Sequence, residues 1–248
     1  MRRLCGFALA GLLWASPSQA AVAFVQAAFD STQPFITDAT GVATFSGACT
    51  TGNTIIVGIS TLLDRTISTV TDDGGNTYST DAGLNITGGG TAGESWIYWA
   101  PCTTAASVVT VTLTGPVTDQ GIVLIAEFSG LNNSDLLEDP DEIVDTLTPY
   151  NSGDLITTVN DSLLFGVIVS DSAADFTNEA GWSLPDAGAD WAGGLVAYKI
   201  LSATATDDWD PTSAVDENSA QVTAAFNGTG GAASTRASDG PLLGVSPG

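Results

Sequence analysis

The chain has 248 residues, 44% of them hydrophobic, and carries 28 acidic against five basic side chains for a net charge of −23, with no histidine. A surface so acidic repels nucleic acid and anionic lipid, and the missing histidine excludes Ser-His-Asp and Cys-His catalysis and His-ligated zinc or iron. The hydrophobic share is high enough for a chain of this length to bury a core instead of staying disordered.

Residues 1–20 have the order of a signal peptide: Arg2 and Arg3, an apolar stretch over 4–15, then the small residues Ser18 and Ala20 before a cut. The apolar stretch falls short of the roughly twenty residues a membrane anchor needs, so no membrane insertion is expected. Cys5 follows Arg2, Arg3 and Leu4, not the small and apolar run that precedes a lipid-attachment cysteine. The reading is a secreted protein, extracellular or at the cell surface, with the periplasm as a further destination. Loss of Arg2 and Arg3 takes the net charge from −23 to −25 and leaves Arg65, Lys199 and Arg236 as the basic side chains.

Short runs rich in β-branched and aromatic residues follow at 22–28, 42–48, 54–60, 66–71 and 96–100, separated by Gly, Asn, Asp and Ser. Between the fourth and fifth of these, Asp72-Asp73-Gly74-Gly75-Asn76 reads as a hairpin loop, because Gly and Asn tolerate positive φ. In Trp96-Ile97-Tyr98-Trp99, alternation puts Trp96 and Tyr98 on one face and Ile97 and Trp99 on the other, both covered. Further runs lie at 107–114, 121–129, 154–158, 162–170, 194–202 and 220–226. Val109, Val111 and Leu113 alternate with Thr110, Thr112 and Thr114, the mark of one buried and one wet face, whereas 122–126 and 163–169 are apolar nearly throughout and read as central strands. About a dozen strands and hardly any helix predict an all-β domain over 21–228, a two-sheet antiparallel β-sandwich of jelly-roll or immunoglobulin-like type. Residues 229–248, rich in Gly, Ala and Ser, read as a flexible tail.

Cys49 and Cys102 are the two cysteines beyond the leader, and an oxidising compartment makes a disulfide the natural reading, with two buried unpaired thiols as the alternative. A catalytic cysteine would lack a histidine to activate it.

The order of segments also carries a resemblance. Ala23–Gln26, Thr54-Ile55-Ile56-Val57-Gly58 after a Gly-Asn turn, Val70–Tyr78 around Asp-Asp-Gly-Gly-Asn, Trp96–Ala100, Ile125–Gly130 and Asn160–Gly166 come in turn before a last strand ending at Phe226. This resembles a large, poorly characterised family of β-sandwich domains found in secreted and surface proteins of bacteria, with relatives in phage tail proteins. The resemblance implies a fold and a surface setting, not a reaction; the cysteine pair and the many acids are departures from the usual pattern.

Two groups of residues are candidates for binding. Acids cluster in what read as loops, Glu138-Asp139-Pro140-Asp141-Glu142 with Asp145, Asp207-Asp208-Trp209-Asp210 with Asp216 and Glu217, and a group of Asp171, Asp175 and Glu179. Segments dense in Asp, Gly and Asn can supply the oxygens calcium takes, so Asp139, Asp141, Glu142, Asp207, Asp208 and Asp210 are the calcium candidates, against a simple solvated surface. Trp182, Trp191 and Trp209 lie among Gly, Pro and Asp, where they would either cap the sandwich or stack on sugar rings. No P-loop and no Gly-x-Ser-x-Gly elbow is present. The expected function is a non-catalytic secreted module with a structural, adhesive or surface-interaction role. The alternatives are a calcium-supported carbohydrate-binding module and a glycan-acting enzyme with two facing carboxylates. Partners would be polysaccharide or surface proteins, or further copies if residues 22–28 completed a neighbour's sheet.

Overall fold

The computed structural model describes residues 20–30, 35–36, 40–62, 65–79, 85–87, 93–114, 119–145, 150–170, 175–191, 193–214 and 218–229. The expected leader, except for Ala20, and the tail beyond Thr229 lie outside the described residues, as do Asp171, Asp216 and Glu217.

In chain order the strands are β1 (Ala23–Phe29), β2 (Phe35–Ile36), β3 (Thr40–Thr44), β4 (Thr54–Thr61), β5 (Thr66–Asp72), β6 (Asn85–Thr87), β7 (Glu94–Pro101), β8 (Val108–Thr114) and β9 (Asp119–Ser129). They continue as β10 (Leu137–Asp145), β11 (Leu155–Ile156), β12 (Ser162–Ser170), β13 (Phe176–Thr177), β14 (Asp190–Trp191), β15 (Gly194–Leu201), β16 (Thr206–Asp207), β17 (Thr212–Ser213) and β18 (Ser219–Phe226). The fold is all-β: the described residues form five antiparallel sheets, with orders β1-β9-β4-β7-β6 (β2 also pairing with β9), β10-β18-β12-β15-β14, β3-β8-β5, β11-β16 and β13-β17.

The apolar faces stack these sheets. Ile56, Ile97, Trp99, Leu124 and Phe128 of the first share one cluster with Phe165, Val167, Val196, Val222 and Phe226 of the second. Gly58 on β4 marks how close the two come: a Cβ there would sit 3.0 Å from Val167 and 3.2 Å from Phe165. The opposite face of the first sheet, with Ile55, Val57, Ile59, Trp96, Val123 and Ile125, packs on Ala43, Val109, Val111 and Leu113 of β3 and β8. The first sheet is thus buried on both sides, which is why every residue of β4 is buried and why Trp96 and Trp99 both find a core. The outer face of the second sheet carries a third cluster, joined by Leu155 of β11, Phe176 of β13, Trp182 and Trp209. More than two sheets therefore take part, because strands apolar on both faces need a neighbour on each side. The near-continuous apolar runs do become β9 and β12, inside their sheets.

Two segments differ from the expectation. Glu138-Asp139-Pro140-Asp141-Glu142 is not a loop but the middle of β10, paired with β18 from Leu137↔Phe226 to Asp145↔Ser219. An edge strand has one row of N–H groups turned away from the ladder, so it tolerates Pro140, and its acids discourage another strand from adding there. The segment Asp72–Asn76 is not a hairpin either. β5 pairs with β8, and the chain then crosses to another sheet, where Ser79 bridges to Trp99. The Asp72 carboxylate makes that crossing, accepting from Gly74 N and Asn76 N at 3.0 Å and from the Tyr78 hydroxyl at 3.0 Å.

Edge strands β1, β5 and β10 each carry a register shift, which bends an edge away from further pairing. β1 pairs with β9 of its own chain and stands at the edge of its sheet.

Candidate functional site

At one end of the fold, Cys49 and Cys102 form a disulfide with a Cα–Cα distance of 6.4 Å. It ties the loop before β4 to the loop after β7. Cys49 N donates to Ala106 O at 2.7 Å and Cys102 N to Asn53 O at 2.8 Å. Beside it the fully buried Glu127 accepts from Gln26 Nε2 at 2.6 Å and Thr50 N at 2.8 Å. Asn76 Oδ1 accepts from Thr103 N and Thr104 N at 2.9 and 3.0 Å. Glu127 and Asn76 serve here as acceptors that hold loops together.

Across the second sheet lies the tryptophan lid. Trp209 is 0% exposed and Trp182 6%, and their rings meet at a centroid distance of 5.4 Å. Both indole N–H groups are used inside the protein, Trp209 Nε1 to Asn178 Oδ1 and Trp182 Nε1 to Asp208 O, each at 3.1 Å. Trp209 lies flat over β12 because residue 166 is glycine: a Cβ there would stand 2.3 Å from Trp209 Cε3. The expectation of an exposed sugar-stacking platform fails for these two rings. The outer face of the second sheet is apolar, with Leu164, Ile168 and Ala197, and covering it outweighs presenting the rings to water. The backbone of Trp191 belongs to β14, while its side chain lies outside the described residues.

The calcium candidates whose side chains are described, Asp139, Asp207, Asp208 and Asp210, do not assemble a group of three or more. Asp139 Oδ2 accepts from Ile156 N at 2.8 Å, and Glu138 accepts from Thr158, so these two side chains fasten β11 to β10. Asp141 and Glu142 are placed on the same strand, but their side chains are outside the described residues. On the other side of the lid Asp207 pairs with Lys199 at 2.8 Å, and Glu179 Oε2 accepts from Asp210 N at 2.8 Å, with Asp208 close by. Among the described residues no group of three or more metal-ligating side chains is assembled.

Burial around the lid pushes the Glu179 carboxyl up, as it does that of Asp210, to which the negative charge of Asp208 adds. Burial, then the charge of Asp175, raises Asp190. A carboxyl whose folded pKa exceeds its unfolded value binds its proton more tightly in the folded state. Stability therefore falls as pH rises through the window just above the ordinary values of 4.5 for Glu and 3.8 for Asp. Asp73, held down chiefly by the Val108 N–H, acts below 3.8 and does not overlap that window. The expected result is a higher melting temperature near roughly pH 5 than at pH 8, with the difference reduced in Glu179→Gln. A flat profile in both proteins would contradict it.

The remaining surface feature is the outer face of the β3-β8-β5 sheet, which sequence reasoning half-saw. Its inward positions belong to the core, so the outward ones follow from register. One row runs Thr40–Thr112–Thr69, and the next Val42–Thr110–Thr71. Thr114 pairs with Thr66 beyond the bulge at Ile67–Thr69. The outward positions of β3 and β5 are exposed, and those of β8 are half-buried between their neighbours, with Thr114 exposed. None of the outward side chains from Thr40 to Thr44, Thr66 to Thr71 and Val108 to Thr114 is charged, in a chain of net charge −23. The visible signal was the Thr110, Thr112, Thr114 alternation; the partner rows depend on strand pairing.

Comparison of the chain with protein-family profiles, with curated proteins and with solved structures found no match.

Proposed function

We infer that the protein is a non-catalytic secreted β-sandwich module with an adhesive or surface-interaction role, and that it engages its target through the outer face of β3, β8 and β5. The observation that carries this reading is the uncharged threonine face on a protein of net charge −23. Two adjacent rows of threonine without a carboxylate can approach an uncharged solid without desolvating charged groups. The leader pattern and the disulfide support export to an oxidising compartment. The face-to-face packing of the first two sheets supports a sandwich as the scaffold, in keeping with the bacterial surface domains the segment order resembles.

Retention of purified protein on a panel of uncharged solids (cellulose, chitin, polystyrene and ice) tests the reading against retention on charged resins. Thr112→Glu with Thr71→Glu should abolish retention on whichever uncharged solid holds the wild type, with the melting temperature unchanged. Retention on none of the solids, or retention indifferent to these substitutions, would refute the assignment of the face.

A further inference from the structure

We propose that the threonine face binds ice. The proposal rests on the reading of that face as the interaction surface and specifies what it contacts: a rigid, uncharged lattice of water.

Three properties of the face carry it. Neighbouring strands stand about 4.8 Å apart and every second residue along a strand about 6.8 Å, so outward side chains in register form a two-dimensional grid. Those spacings lie close to the two oxygen repeats that a prism face of hexagonal ice presents. Thr40, Thr112 and Thr69 occupy one row and Thr110 and Thr71 the next, with Val42 completing it. Second, threonine suits such a grid. Two heavy atoms on Cβ restrict χ1, so the side chain is held before contact, and each offers a methyl that orders adjacent water and a hydroxyl that bonds into it. Val42, 41% exposed, keeps the methyl half of that pair. Third, the two threonine rows hold no charge. A carboxylate organises water around itself in a pattern a crystal cannot adopt, and the acid nearest in register, Asp73 just past the end of β5, lies beyond the rows beside Val108, whose N–H its carboxylate accepts.

The same observations weigh against other occupants. Three strands of at most seven residues span roughly 300 Å², well below the ~800 Å² per partner of a stable interface between two copies. A polysaccharide site would present aromatic rings for stacking, and the outward positions carry none. A lattice that repeats without limit requires only a small matching patch, here the two rows on the Val70 side of the β5 register shift, because its partner is already rigid and no ordering cost falls on it.

The experiment is ice partitioning of the purified, disulfide-intact protein, with ice-crystal shape and the gap between melting and freezing recorded in the same sample. The wild type should enter slowly growing ice, facet the crystals and open a measurable gap. Thr112→Lys with Thr71→Lys should lose all three effects while melting at the wild-type temperature. Ile156→Lys, on an exposed side chain outside this sheet, should keep them. Wild-type protein that is excluded from ice and leaves crystals round overturns the proposal. If that protein is still retained on cellulose or chitin through Thr112 and Thr71, the ice proposal fails and the adhesive reading stands; if no solid retains it, both fail. Equal loss in Ile156→Lys also overturns the assignment to this face.

Discussion

Trp209→Ala is expected to lower the unfolding free energy by about 3–5 kcal/mol, the cost of emptying a fully buried large aromatic site. Its ring is 0% exposed, lies on the β12 backbone at Gly166 and meets Trp182. Its main chain is held as well, with Trp209 N donating to Ser152 Oγ at 2.9 Å and Gln221 Nε2 donating to Trp209 O at 2.7 Å. Removing the indole opens a cavity between sheet and lid and leaves Asn178 Oδ1 without its donor. Gly166→Ala attacks the same contact from the sheet side, where the added methyl must displace the ring at a cost of about 1–3 kcal/mol. In the Trp209→Ala background that penalty should vanish, because the obstructing ring is gone; urea unfolding of the two single variants and the double variant reads the coupling directly. A Trp209→Ala cost below about 1 kcal/mol would mean that the lid contributes no packing and that Trp182 and Trp209 are free to meet a ligand.

Cys49→Ala with Cys102→Ala should cost about 4 kcal/mol on the chain-entropy account, for a sequence separation of 53. Both sulfurs sit inside the cluster with Phe45, Ala106 and Val109, so the loss of packing acts in the same direction. Thermal melts with and without reductant measure the effect: reductant should lower the wild-type melting temperature markedly and leave the double variant unmoved. The Glu127 and Asn76 hydrogen bonds pin the same loops. Were the double variant nearly as stable as the wild type, those bonds would be sufficient by themselves to close this end of the molecule.

Several features of the fold were legible in the residues because they depend on neighbours in the chain. Alternation over Val109–Thr114 marked a strand with one wet face, and the unbroken apolar runs marked strands inside their sheets. The cysteine pair could be read because the leader pattern set its redox compartment. β10 was illegible: four acids and a proline over 138–142 give a loop by every local rule, and only pairing with β18 makes them a strand.

The candidate face divides in the same way. By itself the sequence determined an all-β chain, a strongly negative charge, a disulfide-ready cysteine pair and one threonine-lined strand, since each is a matter of composition or of period two. The tertiary structure alone decided that Thr69, Thr71 and Thr40 join that strand in rows and that no acid stands within those rows. It also decided that Trp182 and Trp209 turn inward. Register and layering are set by contacts between residues far apart in the chain, and the free energy of covering an apolar sheet outweighs the polar company that Trp182 and Trp209 keep in sequence.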